Sequence, residues 1–278
     1  DDVPLHLHRR IAHTEIKLQE LVYSSPLCNV ARARWRSRTV AVKVFEPLSI
    51  AFERQAVCRE LATLCMLTQH PNVINVLGAN VPRLSSDDEE DDAAAAAAAA
   101  TTTTTAVPLP LRRAQPFIVT EFAERGTLEA AIARASSRGA RLGTGRYLTY
   151  ATHMAAALAH LHSHRIVHRD VKSANFVICD VDDQRSVEMM IPMVAGAGAN
   201  VGVLKLLDFG VARVTSSALM TTVGTAVWMA PEVLDGGTLY DERADVYGAA
   251  LVLAHMISGR EPYADVDPLL VGDHVAAG

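Results

Sequence analysis

The sequence predicts an α+β protein of two lobes, a small sheet-rich one over residues 1–122 followed by a larger, mainly helical one over 123–278. Two observations predict it. Residues 30–45 alternate with the period of two that marks strands, whereas 50–68 and 146–163 carry stripes at helical spacing. Strands gather early in the chain and the strongest helix comes late, an order that segregates sheet from helices.

Each element follows in turn. Residues 30–45 read as two strands joined through Arg36-Ser37-Arg38. In "TVAVKVF", Ala41, Lys43 and Phe45 share one face, and Val40, Val42 and Val44 the other. Over 50–68, Ala56, Glu60, Leu64 and Leu67 fall on one stripe of a helix. "PFIVTEF" is a mostly apolar strand. The helix over 146–163 aligns Tyr147, Tyr150, Met154, Leu158 and Leu161. Two stretches interrupt this pattern. Residues 85–107, "SSDDEEDDAAAAAAAATTTTTAV", are of low complexity and bury too little apolar surface to order themselves. A second insertion, about 180–203, ends in the small residues "VAGAGANVG". No internal repeat is present.

Composition narrows the partners. A chain of 278 residues can bury a substantial core. No apolar run approaches the roughly 18 residues of a membrane span, and the opening Asp-Asp-Val-Pro lacks the layout of a signal peptide. The net charge of −5 is local: Asp87–Asp92 hold six of the 31 acids, and the other 25 face 26 Lys plus Arg. Neither a nucleic-acid partner nor a membrane surface is called for. Cys28, Cys58, Cys65 and Cys179 form no paired framework, so a reducing, cytoplasmic setting is expected.

Two charges sit on otherwise apolar faces, Lys43 on its strand and Glu60 on its helix. A lone buried charge costs several kcal/mol, by rough estimate, so the two are expected to pair with each other.

Further along, residues 168–175 read "HRDVKSAN", 208–210 "DFG", 224–232 "GTAVWMAPE" and 244–253 "ADVYGAALVL". This series, in this order, resembles the protein kinase family, with the flavour of tyrosine-kinase-like serine/threonine kinases, over about residues 15–265. The resemblance implies a two-lobed kinase fold, ATP and Mg²⁺ as cofactors, and a protein substrate with a Ser or Thr acceptor. It assigns Lys43 to the α and β phosphates with Glu60 as its anchor, and Asp208 and Asn175 to Mg²⁺, both offering the oxygens a hard cation takes. Asp170 would orient the substrate hydroxyl, and Lys172 would neutralise the transferred group. The lysine, with Thr225 downstream, fits Ser and Thr acceptors better than Tyr. Around the nucleotide the resemblance sets Val22, Val30 and Ala41 above the base, Val177 beneath it and Thr120 behind, with the backbone of Glu121 to Ala123 at the adenine edge. Glu60 lies ten residues before His70 where nine is usual; Glu53 shares its face but lies too near Lys43.

The glycine-rich loop is absent. Aligned on Val30, the positions of its three glycines hold Tyr23, Ser25 and Cys28, and Pro26 removes an amide donor. Glycines there let backbone N–H groups approach phosphates; Ser24 and Ser25 offer hydroxyls as partial compensation. Two lost contacts at about 1–1.5 kcal/mol each would weaken ATP ten- to a hundred-fold. An active kinase with a degenerate loop and a pseudokinase acting as an interaction module therefore both remain open. The retained Lys43, Asp170, Asn175 and Asp208 favour the first.

Three smaller expectations complete the reading. His160, His162, His164 and His168 alternate too closely for one helix face, and no cysteine or carboxylate completes a tetrahedral set. His168 is expected to be a structural part of the catalytic loop, the others a helix end. Arg169 would pair with a phosphate on Ser216, Ser217, Thr221 or Thr222. The resemblance also implies further helices after "SGREPYADVDP", with an arginine for Glu232; none is found, so the large lobe is expected to be incomplete.

Overall fold

The computed structural model describes residues 10–25, 28–45, 51–67, 70–81, 111, 115–180, 201–209, 226–234, 241–267 and 270–277. The low-complexity stretch, most of the second insertion, Pro26, Gly210 and the four candidate phosphorylation positions lie outside them, as does the side chain of Glu53. The chain divides into two compact units, 1–66 with 75–122, and 67–74 with 123–278.

The first unit is built on a five-stranded antiparallel sheet in the order β1-β2-β3-β5-β4. Its strands are β1 (Ile16–Ser24), β2 (Cys28–Trp35), β3 (Arg38–Phe45), β4 (Val76–Asn80) and β5 (Phe117–Glu121), with helix α1 (Ala51–Leu67) between β3 and β4. The alternation in β3 works as its sequence demands. Val40, Val42 and Val44 are buried in a core with Ile16, Trp35 and Phe117, while Ala41 and Lys43 are half-buried on the opposite face. Each buried valine contributes roughly 1.5–3 kcal/mol, so a one-residue slip of β3 would forfeit all three. Strand β1 escaped the sequence analysis. Its register with β2 shifts between Leu18 and Glu20 and again between Leu21 and Tyr23, which breaks the period of two.

The second unit is mainly helical: α2 (Leu128–Ser136), α3 (Thr144–Ser163), α4 (Pro231–Leu234), α5 (Arg243–Ser258) and α6 (Val271–Ala277), with a small hairpin of β6 (Phe176–Cys179) and β7 (Val203–Leu206). Thr127 caps α2 by accepting from the Ala130 amide at 3.1 Å. On α3 the expected stripe is buried at Tyr150, Met154, Leu158 and Leu161 and half-buried at Tyr147; Thr149, His153 and Ala157 widen it. Strand β7 starts at Val203, inside the stretch the sequence reading gave to the second insertion. Residues 67–74 belong to this unit through β7: Asn72 Nδ2 donates to the Leu204 carbonyl at 2.9 Å, and the Leu206 amide to Asn72 at 2.8 Å. Among the described residues no helix is long and apolar enough to cross a membrane.

Candidate active site

In the first unit, strand pairing gathers the residues expected around a nucleotide. Val30 lies opposite Lys43, and Ala41 opposite Thr120. Lys43 Nζ donates to Glu60 Oε1 at 2.7 Å, the partner its place on an apolar face required. The Glu60 side chain is 2% exposed and that of Lys43 16%, so the lysine keeps a solvent-facing side. Its ammonium also stands 5.3 Å from the centre of the Phe45 ring, a cation–π contact on the shared face. The Glu121 amide donates to the Asn75 carbonyl at 3.0 Å and its carbonyl accepts from Thr120 Oγ1 at 3.1 Å. Val22 lies at the second irregularity of β1 and is exposed.

The turn between β1 and β2 corrects one expectation. Ser25 N–H donates to the Cys28 carbonyl at 2.9 Å, its hydroxyl donates to the same oxygen, and the Cys28 amide donates back to that hydroxyl at 3.1 Å. Ser24 donates to Asn29 Oδ1 at 2.7 Å. The hydroxyls that were to stand in for glycine amides are engaged inside the hairpin: Ser25 closes a local turn onto an amide three residues on, and Ser24 meets its cross-strand partner Asn29.

In the second unit, "HRDVKSAN" forms a loop over 168–175 that ends in a 3-10 turn, Ser173–Asn175. Asp170 Oδ2 accepts from Lys172 Nζ at 2.7 Å and from Asn175 Nδ2 at 2.8 Å, and Asn175 Nδ2 also reaches the Asp170 carbonyl at 2.7 Å. The other oxygen, Oδ1, is buried and has no hydrogen-bond partner among the described residues. Asn175 turns its two N–H groups to Asp170, which leaves its carboxamide oxygen as the group a cation would meet. His168 is held in one neutral tautomer: Nδ1 accepts from the Asp170 amide at 3.3 Å, and Nε2–H donates to the Leu207 carbonyl at 3.0 Å. Its ring also meets Phe209 edge-on. Asp208 follows in the left-handed region, φ 69°, a conformation that a short acidic side chain tolerates better than most. Val177 is buried in β6, and the Ala123 carbonyl accepts from the Gly126 amide.

Sequence reasoning missed Asp245. It is 1% exposed on α5, and its two oxygens accept from the His168 and Arg169 amides, each at 2.8 Å, and meet His162 Nε2 at 2.8 Å. The signal was available: one carboxylate inside the apolar run "ADVYGAALVL" poses the question that Lys43 posed on β3. His162 therefore does more than end a helix. His160 stacks on His70 with ring centres 4.6 Å apart; burial lowers the pKa of both, with the His160 imidazole adding to it at His70 and the His164 imidazole at His160.

These features define a protein of the kinase type. The chain belongs to the protein kinase domain family, which matches residues 24–271. It is 28% identical over 262 residues to a probable serine/threonine-protein kinase of Dictyostelium discoideum, covering 94% of this chain and 16% of that one. It is 29% identical to human mitogen-activated protein kinase kinase kinase 10 (98% and 24% covered) and 27% identical to serine/threonine-protein kinase STY17 of Arabidopsis thaliana (92% and 36%). The chain spans only a sixth to about a third of these relatives.

Proposed function

We propose that this chain is a serine/threonine protein kinase domain that transfers the γ-phosphate of ATP to protein hydroxyls. Membership of the family implies ATP and a divalent metal, for which the Asp208 carboxylate and the Asn175 carboxamide are suitable hard donors. When bound, the metal would neutralise phosphate charge. The remaining work falls to this chain's side chains. Lys43, steadied by Glu60, holds the α and β phosphates. Asp170 accepts the hydrogen bond of the incoming hydroxyl, and Lys172 offsets the charge of the transferred group. The observation that carries the reading is Asp170 itself, with one oxygen fixed by Lys172 and Asn175 and the other without a hydrogen-bond partner among the described residues.

A second reading, a pseudokinase that serves as an interaction module, is favoured by the self-closed turn at Ser25 and Cys28. Thermal unfolding with and without Mg-ATP, followed by phosphate incorporation into a generic protein substrate, separates the two. The kinase reading expects a stabilising shift, and incorporation that falls by roughly 10²–10⁴-fold in Asp170→Asn. A shift without turnover would favour the pseudokinase, and no shift at all would remove nucleotide binding.

A further inference from the structure

Helix α5 presents one face to the catalytic loop along most of its length. Asp245, Gly248, Val252 and His255 follow at i, i+3, i+7 and i+10, and all four are buried. Asp245 holds the His168 and Arg169 amides. At Gly248 the loop comes so close that a Cβ would stand 2.7 Å from the Val171 carbonyl oxygen. At the far end, His255 Nδ1 lies 3.1 Å from Ser173 Oγ. Helix α5 therefore holds the loop at two places, at the His168 and Arg169 amides through Asp245 and at Ser173 through His255.

The Ser173 pin is a chemical requirement as well as a geometric one. Ser173 is 0% exposed, so its hydroxyl has no water to turn to and His255 satisfies it. The Trp228 ring, 5.8 Å away and tilted by 48°, lies beside the imidazole. Burial lowers the imidazole pKa, with the nearby Glu261 carboxylate opposing that shift. Asp170 and Lys172 lie between the pins, and Asn175 two residues past the second. Asn175 N–H donates to the Lys172 carbonyl at 3.0 Å, and the Leu207 amide, just before Asp208, donates to the Asn175 carbonyl at 3.0 Å.

We propose that His255 is a positioning residue, which by holding Ser173 fixes Lys172 and Asn175 relative to Asp170. Its structural content stands alone; its consequence for phosphoryl transfer rests on the kinase reading.

Three variants test it. His255→Leu strands the Ser173 hydroxyl. The double variant His255→Leu/Ser173→Ala removes both partners and repairs that defect. His255→Gln keeps a hydrogen-bonding group. Amide hydrogen exchange is followed in the nucleotide-free protein, alongside the denaturation midpoint and the Mg²⁺ concentration for half-maximal phosphate incorporation. In the single Leu variant and in the double, exchange of the Asn175 and Leu207 amides should quicken, and the Mg²⁺ requirement rise, roughly five- to tenfold, the worth of one buried hydrogen bond. The midpoint should fall in the single and recover in the double, while the Gln variant stays near wild type. If exchange and Mg²⁺ requirement return with the midpoint in the double, or never change in the single, His255 is ordinary packing and the proposal fails. Should the wild type incorporate no phosphate, the kinase reading falls, and exchange still decides whether His255 positions the turn.

Discussion

In the turn between β1 and β2, Ser25 closes onto Cys28 and Ser24 onto Asn29, so the turn holds itself together with its own donors. In the stretch 168–175, bonds within the loop are joined by anchoring groups from another element. Asp245 on α5 takes the His168 and Arg169 amides, and one oxygen of Asp170 has no partner among the described residues. Both stretches stand where the resemblance expects phosphate chemistry. Their difference teaches that a loop tethered from outside can keep polar groups for a ligand, whereas a loop tethered by itself uses them up. The same residue types, Ser and Asn, serve either end.

The largest expected effect removes the outside tether. Asp245→Ala leaves one buried amide, one part-buried amide and His162 without their acceptor, a loss of roughly 3–5 kcal/mol. At 2–4 °C per kcal/mol for a unit of this size, the thermal midpoint should fall by about 6–20 °C. Ser25→Ala, which opens only a local and partly solvated turn, should cost about 1 kcal/mol. Equal losses in the two variants, measured by chemical denaturation, would erase the distinction between the loops.

Next comes acid. His153 on α3 accepts from the Leu204 amide of β7 at 3.2 Å, two residues before the end of the strand that leads to Asp208. Burial lowers its pKa from 6.5 to about 4. The folded state therefore binds fewer protons than the unfolded one between those values. Its contribution is complete above about pH 6.5 and is lost as pH falls through about 4, on the order of 3 kcal/mol in all. His70, His160 and His255, also lowered by burial, act in the same direction. In His153→Gln, which keeps an acceptor, stability from urea titrations should fall less steeply between pH 6.5 and 4.5; an unchanged slope would count against the buried neutral ring.

The hairpin can be pushed toward its counterpart. Ser25→Gly/Cys28→Gly frees the Cys28 amide from the Ser25 hydroxyl and relieves the crowding of two side chains. If one phosphate contact forms at about 1–1.5 kcal/mol, calorimetry should show Mg-ATP binding roughly five- to tenfold tighter. Unchanged affinity would mean that the hairpin, with or without its side chains, takes no part in binding.

These contrasts also show what the sequence can and cannot reveal. The face of β3 was legible because period two separates Val40, Val42 and Val44 from Ala41 and Lys43 without ambiguity. The Lys43–Glu60 pair was legible because a charge on an apolar face demands a partner. The direction of the Ser25 hydroxyl was not. It depends on backbone angles within a turn, and residue type alone allows Ser to point outward or back. Strand β1 was hidden by its two register shifts, and α5 by being apolar nearly all round, so that no stripe marks its inward face. The consequence was that Asp245 and His255, two of the groups bonded to the stretch 168–175, went unseen although both lie in plain view in the chain.

The smallest effect concerns how α3 is turned toward that loop. The helix ends in two crossed bonds, from the Ile166 amide to the Leu161 carbonyl at 3.1 Å and from the Arg165 amide to the His162 carbonyl at 2.9 Å. This is a Schellman closure, in which the residue after the cap adopts the left-handed conformation usually given to glycine. Here it is Arg165, with φ at 56° and its side chain exposed. Its Cβ is strained, and among the described residues no side-chain contact repays the strain. Arg165→Gly should relieve it, and Arg165→Ala should not, since Ala keeps the Cβ and removes the rest. The difference between the two variants is expected to be about 1 kcal/mol in favour of Gly, less the extra freedom Gly gives the unfolded chain. A thermal midpoint about 1–4 °C higher for Gly than for Ala is the expected result. If Ala is the more stable, the strain at 165 is not the cost it is taken for, and the approach to the catalytic loop is held as firmly from its own end as it is from α5.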